Sequence, residues 1–428
     1  MKFAAFLRDH LRSYRNILVH PTQEMRPPDG AAFRGGPEWP RFSLQIYARH
    51  CWHSIARPID ARPLAARQEW PYFDPRYLPL FWPQIYADRQ LSPEDPAALP
   101  LLAASHTPLA DNTPDVLDAG IWCGPIVLHF GETVANHGMR IAPSSLIDPT
   151  TPLMFSMPPI RQLEPPSYFW EILEHLSIDK RRVLLIRKPT RFRLLHVLPQ
   201  AERLYCKLFW AGGPSRRHLR MMDAIVAAQG PVERDLDRVF VSRARLAEGH
   251  FAGESYLDEA MTAAGVTVLH PETVDVHSQM RTYRRARCLI FSEGSAVHAL
   301  QLLGHLDADL IVLARRPQYR LSPNSLRPRV RSLRYVQAVH RLIHGLSPSG
   351  RPILRAGITI LDEQRLLTGL KSAGIDLTPV WDSRAYAAHR DSDIAAWLAQ
   401  RRAAGSHPAE QAMLAEQLRS PLLLAQTG

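Results

Sequence analysis

Gly294, Ser295 and His298 open an apolar run whose order, CLIFSEGSAVHALQLLG, reads as strand, turn and helix. In such a turn Gly294 lets the backbone approach a ligand and the Ser295 hydroxyl can cap the helix. His298 follows one turn later on the same face. Exposed N–H groups and the positive end of the helix dipole would then suit a diphosphate. A plain helix cap with a satisfied histidine is the competing reading of these residues. Glu293 shares the turn, beside Gly294. Arg243 closes the strand in RVFVSR and can offer its planar fork to the same phosphates; in so arginine-rich a chain it can equally be an ordinary surface residue. Glu272 follows another apolar strand, where an acidic residue commonly holds ribose hydroxyls. The first turn of a following helix explains that carboxylate as well. Glu254 and Gln279 begin or line helices, positions where such residues are common without function.

These side chains acquire meaning from the elements that must hold them. Residues 239–241, 266–269, 289–291 and 310–313 read as short apolar strands, and 254–264, 276–286 and 295–306 as the helices between them. Strands alternating with helices of this length are the sequence form of βαβ units in a parallel sheet. In such a sheet ligands bind beyond the carboxyl ends of the strands. That rule selects Ser242-Arg243, His270-Pro271-Glu272, the Ser292–Ser295 turn and Arg315-Arg316. Upstream, strands are expected at 152–157, 182–186 and 194–198, and helices at 167–176 and 216–229. Downstream, a strand at 333–339, a helix at 362–373 and a helical tail complete the chain. Three D-x-D pairs occur, at Asp235/Asp237, Asp307/Asp309 and Asp391/Asp393. The first two precede their strands, at the wrong edge of the sheet, and the third reads as a helix cap. No metal site is expected, and no cofactor beyond a bound co-substrate.

The remaining composition narrows the class. The chain has 428 residues, 46% of them hydrophobic and 22% charged, which is a globular range with room for two domains. Its net charge of +11 comes almost entirely from arginine, since only five of the 52 basic residues are lysines. That charge suits anionic partners: nucleotide diphosphates, acidic glycans or the surface of an anionic membrane. It is equally a possible by-product of codon composition. No basic run interleaves with aromatics, so nucleic acid is disfavoured. The four cysteines are dispersed and the basic start lacks a signal-peptide pattern, so a reduced, cytoplasmic setting is expected. Residues 1–100 are rich in Pro, Arg and Trp and read as short elements and ordered loops.

The stretch from VSRARLAEGHFAGESYLDEAM to FSEGSAVHALQLLG resembles the signature region of glycosyltransferase family sixty-one, whose bacterial members serve capsular polysaccharide synthesis. The matching positions are Ser242, Arg243, Glu254, Pro271, Glu272, Gln279, Ala286, Glu293, Gly294, Ser295, Ala296 and His298. Upstream, GPIVLHFGETVANHGMRI resembles the family's H-F-G-H-F…R helix at His129, Phe130, Gly131 and Arg140, with Glu132 where a second histidine is common.

The resemblance implies an α/β protein of two Rossmann-like domains facing a cleft (GT-B-like). Residues 1–215 would form the acceptor side, 216–384 the nucleotide-sugar domain and 385–428 a helical tail. It implies inverting, metal-independent transfer from a nucleotide-diphosphate sugar to a polysaccharide or lipid-linked glycan acceptor; the charge leaves room for peripheral contact at the inner membrane surface. Arg243, Ser295 and a neutral His298 would neutralise the leaving diphosphate. His129 or Glu132 would supply the base, with Arg140 on the acceptor side. The alternatives are a pyruvyl transferase-like enzyme and a non-catalytic, arginine-rich binder of acidic glycan, nucleic acid or membrane.

Overall fold

The computed structural model describes residues 7–8, 11–19, 115–126, 129–157, 164–188, 190–198, 201–202, 213–346, 352–403 and 408–418. Most of the Pro- and Trp-rich start therefore lies outside the described residues. The exception of note is a strand, β1 (Arg12–Val19), within the basic stretch at the start of the chain.

That strand forms the edge of a first sheet with β2 (Asp115–Pro125), β3 (Leu153–Ser156), β4 (Val183–Ile186) and β5 (Thr190–Val197), in the order β1-β5-β2-β3-β4. Only β1 runs antiparallel, along β5; the other pairings are parallel. The second sheet contains β6 (Leu236–Val241), β7 (Thr267–Leu269), β8 (Ala286–Ser292), β9 (Leu306–Leu313) and β10 (Val330–Val336). Its order is β10-β9-β8-β6-β7 and every pairing is parallel. Counted from β6, this is the doubly wound order 2-1-3-4-5, whose topological switch point falls between β6 and β8.

The expected βαβ series is thus present, and its local causes are visible. Val239, Phe240, Leu289, Ile290, Leu310 and Val312 are all buried, as strands covered on both faces require. Helices α1 (Ser167–His175), α2 (Arg216–Ala227), α3 (Glu254–Ala263) and α4 (Val276–Arg285) pack around the sheets. Ser215 caps α2 by accepting the His218 N–H at 3.1 Å, and Asp275 caps α4 by accepting that of Ser278 at 2.8 Å.

Three expectations change. The helix after β8 is a 3-10 helix, Ser295–Leu302, and it ends four residues before 306. The chain then passes Gly304 so close to Asp223 of α2 that no side chain would fit there, and β9 begins at Leu306. The strand foreseen at 333–339 is two strands. After β10, β11 (Val339–Ile343) leaves the sheet to pair antiparallel with β12 (Ile358–Leu361). The third D-x-D pair does not cap a helix, because it lies inside one. Helices α5 (Glu363–Ser372), α6 (Ser383–Ala403) and α7 (Pro408–Leu418) end the described chain. Asp393 of α6 accepts the Gly253 N–H at 2.8 Å, so the tail is fastened to the start of α3.

One apolar core runs through both sheets, from Ile121, Leu153 and Phe155 through Leu173 and Met222 to Val239, Leu289 and Phe291. Polar ties cross the same boundary: the Val276 N–H donates to Glu171 of α1 at 3.0 Å, and the fully buried Arg329 pairs with the fully buried Glu202. Among the described residues no helix is long and apolar enough to cross a membrane.

Candidate functional site

The polar residues singled out in the sequence meet beyond the carboxyl ends of β6, β8 and β9, at the switch point. Glu254, at the head of α3, organises them. It is wholly buried (0% exposed). One carboxylate oxygen accepts the Arg243 N–H at 2.8 Å and the Ser292 hydroxyl at 2.5 Å; the other accepts the Phe251 N–H at 2.8 Å. A helix-start carboxylate is therefore the clasp that joins the ends of β6 and β8.

Arg243 is nearly buried in this clasp. Its Nε donates to the Gly249 carbonyl at 2.6 Å and its Nη2 to the Glu248 carbonyl at 3.3 Å. The guanidinium lies against Gly294, where an added Cβ would overlap it. Gly294 is extended (φ 179°), so its lack of a side chain serves this close approach and not an unusual backbone conformation. Burial lowers the Arg243 pKa, opposed by the charges of Glu254, Glu272 and Glu293.

Glu293 does not present a free carboxylate to a ligand, contrary to its expected donor-binding place. It accepts the Arg315 N–H at 2.8 Å, the Arg316 N–H at 3.3 Å and the Arg316 Nε at 2.6 Å. Its role here is to hold the turn after β9. Arg316 in turn lies 3.7 Å over the Tyr319 ring, a cation–π contact. Arg315 is directed inward, donating to the carbonyls of Leu354, Arg355 and Gly357. Burial, then the neighbouring Arg243, pulls its pKa down to about 10. The loop continues through Gln318 and Ser322, both at positive φ (57° and 48°), and such conformations in non-glycine residues concentrate at functional sites.

Ser295 and His298 face the first sheet. The cap position falls on Gly294, so the Ser295 hydroxyl does not cap the helix as expected. A Cβ placed on Gly131 would come 2.9 Å from Ser295 Cβ, 3.3 Å from His129 Cε1 and 3.4 Å from His298 Cδ2. The structure thus brings His129, Ser295 and His298 around one point. His129 is exposed, whereas His298 is 4% exposed. Burial pushes the His298 pKa down to about 4, so desolvation favours the neutral ring. The segment after Gly131 is a π-helix, Thr133–His137, a rare form common at functional sites.

Three predicted residues stand elsewhere or unplaced. Arg140 is 1% exposed and donates to the Leu198 carbonyl at 2.7 Å. It is thus turned into the first sheet's packing, where it ties the residue after β5. The side chain of Glu132 lies outside the described residues. Glu272 is exposed after β7, on the far side of Arg243 from Gly294's helix, and faces His270 at 3.8 Å. His270 also lies 3.5 Å from Asp258, whose pKa burial raises to about 7. Asp258 went unremarked in the sequence because one turn after Glu254 it looks like another surface carboxylate of an amphipathic helix.

The carboxylates of the first two D-x-D pairs are engaged near the opposite edge of the second sheet. Asp235 pairs with Arg285, Asp307 with Arg234, and Asp309 with Arg331. Asp391 pairs with Arg390 on α6.

Comparison with curated proteins finds no match for this chain. The family comparison reaches from just before β3 to the end of the 3-10 helix and takes in Arg243, Glu254, Glu272, Glu293, Gly294, Ser295 and His298, with His129 outside it. Residues 146–303 match the family described as Glycosyltransferase 61, which supports a glycosyltransferase.

Proposed function

We propose that the protein is an inverting glycosyltransferase moving a sugar from a nucleoside diphosphate donor to a hydroxyl of a polysaccharide or lipid-linked glycan. The observation that carries this reading is the packing of Arg243 against Gly294 at the β6/β8 switch point, where open α/β sheets take their ligands. Carbonyls engage Nε and Nη2 of Arg243, so its fork is pre-set with the remaining edge beside the glycine. A preorganised cation at that place neutralises charge that grows on a departing diphosphate. Arg316, held by Glu293, supplies a second cation at the neighbouring strand end.

His298 donates to a phosphate oxygen as a neutral imidazole in this reading, and His129 takes the acceptor proton from the other side of the Gly131 contact. A metal bridge is no part of this reading: the first two D-x-D pairs meet arginines away from this edge, and Asp393 of the third accepts the Gly253 N–H. The acceptor belongs to surface-polysaccharide synthesis in a bacterial cytoplasm, and the arginine-rich surface suits contact with an anionic inner membrane.

Thermal-shift titration with a panel of nucleoside diphosphates, followed by transfer assays with the matching sugar donors, tests the proposal. One diphosphate should stabilise the chain, and turnover should persist in excess EDTA. No stabilisation by any diphosphate would overturn the donor site; activity lost to EDTA and restored by manganese would overturn its metal-free form.

A further inference from the structure

Ser295, His298 and Gln301 are spaced by three on the 3-10 helix, and three residues per turn stack them along one edge. In an α-helix the same residues would spiral apart. Gln301 is 0% exposed, and neither its amide nitrogen nor its amide oxygen has a hydrogen-bond partner. One turn earlier, His298 Nδ1 is also closed off from solvent and also lacks a partner. The opposite side of that ring is occupied, because Cδ2 is its atom nearest to the Gly131 contact. Nδ1 lies across Cγ from Cδ2 and so turns away from the 129–131 segment.

Buried polar groups are nearly always satisfied, and an orphaned one is costly. Here two orphaned groups occupy successive turns of one helix edge, each the right chemistry for the other.

We propose that Gln301 is a positioning residue for His298. Its amide N–H donates to Nδ1, which keeps the imidazole proton on Nε2, the nitrogen adjacent to Cδ2 on the Gly131 side. A neutral ring with its proton there can donate to a phosphate oxygen, whereas the other tautomer can only accept. The use made of that proton rests on the donor-site reading above; the tautomer itself does not.

The test is the ring ¹⁵N spectrum of the full chain labelled at histidine, with His298→Asn identifying the signal. In the unaltered protein Nε2 should be protonated and Nδ1 should not. Gln301→Glu keeps the shape but, once ionised, only accepts, and should transfer the proton to Nδ1. Gln301→Met removes the amide without shrinking the side chain and should leave a mixture of tautomers; it also covers failure of the glutamate variant to fold. Calorimetry with inorganic pyrophosphate supplies the second readout. Binding should weaken about tenfold in Gln301→Glu, the loss of roughly one hydrogen bond. An unchanged tautomer in the folded variants overturns the proposal, whatever happens to pyrophosphate. A changed tautomer with unchanged pyrophosphate binding upholds the positioning role and removes His298 from the donor site, so the two readings fail separately.

Discussion

Gly131 and Ser295 are packed so tightly that a Cβ on the glycine would lie 2.9 Å from the Cβ of the serine. This contact joins the segment after β2 to the helix after β8, and both histidines of the candidate site border it. Neither side can yield easily, since Ser295 begins a helix whose Val297 and Leu300 are buried in the shared core.

Gly131→Ala should therefore push the two segments apart. The expected cost is about 1–3 kcal/mol of stability, the range for overpacking, read from the urea midpoint. Transfer activity should fall further than stability accounts for, because His129 and His298 separate as the contact opens. An unchanged urea midpoint would mean that the segment already has slack.

Arg243→Ala should weaken nucleoside diphosphate binding by about 1.5–3 kcal/mol, the value of charge-assisted hydrogen bonds. Arg243→Lys should recover only part of it, since an ammonium cannot reproduce the planar fork. Gly294→Ala offers an independent check, because its methyl group would displace the guanidinium without deleting it. Calorimetry showing unaltered affinity in Arg243→Ala would remove this residue from the site.

The alternation of strands and helices after Arg238 was legible because each strand is a short apolar run between helical stretches, and Asp275 marks the start of α4 plainly. The convergence of Arg243 and Gly294 was also legible, since the carboxyl-edge rule needs only the element order. What stayed hidden depends on distant partners. Glu293 looked available to a ligand until the turn after β9 brought Arg316 back to it. The tie of Arg140 to the residue after β5 was equally hidden. The 3-10 form of Ser295–Leu302 was hidden too, because SAVHALQL has good α-helical composition, and so was the close passage of Gly304 by Asp223 that follows it. β1 escaped notice because Arg12, Arg15 and Asn16 dilute its apolar residues, as an edge strand permits.

Asp258 gives the fold a distinctive pH dependence. Burial raises its pKa from 3.8 to about 7, with Ser242 and Arg245 opposing and Glu254 and Glu272 reinforcing the shift. Between those two values the native state binds more protons than the unfolded state, so this group makes stability fall as pH rises. His175 and His298 act with the opposite sign. Burial pushes both down to about 4 from 6.5, so their contribution is lost as pH falls through that interval. Asp258→Asn should accordingly gain on the unaltered chain between about pH 5 and about pH 8. Denaturation with urea at both values measures the gain. Equal differences at the two would show that Asp258 ionises normally in the folded chain.

The division of labour between His129 and His298 is the sharpest consequence of the site. His129 is exposed and lies outside the span that matches the glycosyltransferase family, whereas His298 is buried and inside it. Both border the Gly131 contact, so distance alone does not separate their roles. If His129 is the base on the acceptor side, His129→Ala should leave diphosphate affinity nearly intact and cut turnover by about 10²–10⁴-fold. His298→Ala should impair affinity and turnover together, since it lies one turn into the helix that Gly294 precedes. The rate profile adds a discriminating readout: an exposed imidazole acting as base should give an acidic limb, and His129→Ala should abolish that limb along with most of the rate. Retention of the limb in His129→Ala would exclude His129 as its source. Its disappearance in His298→Ala alone would instead place the titrating group on the nucleotide side, and the acceptor base would then have to be sought elsewhere along the first sheet.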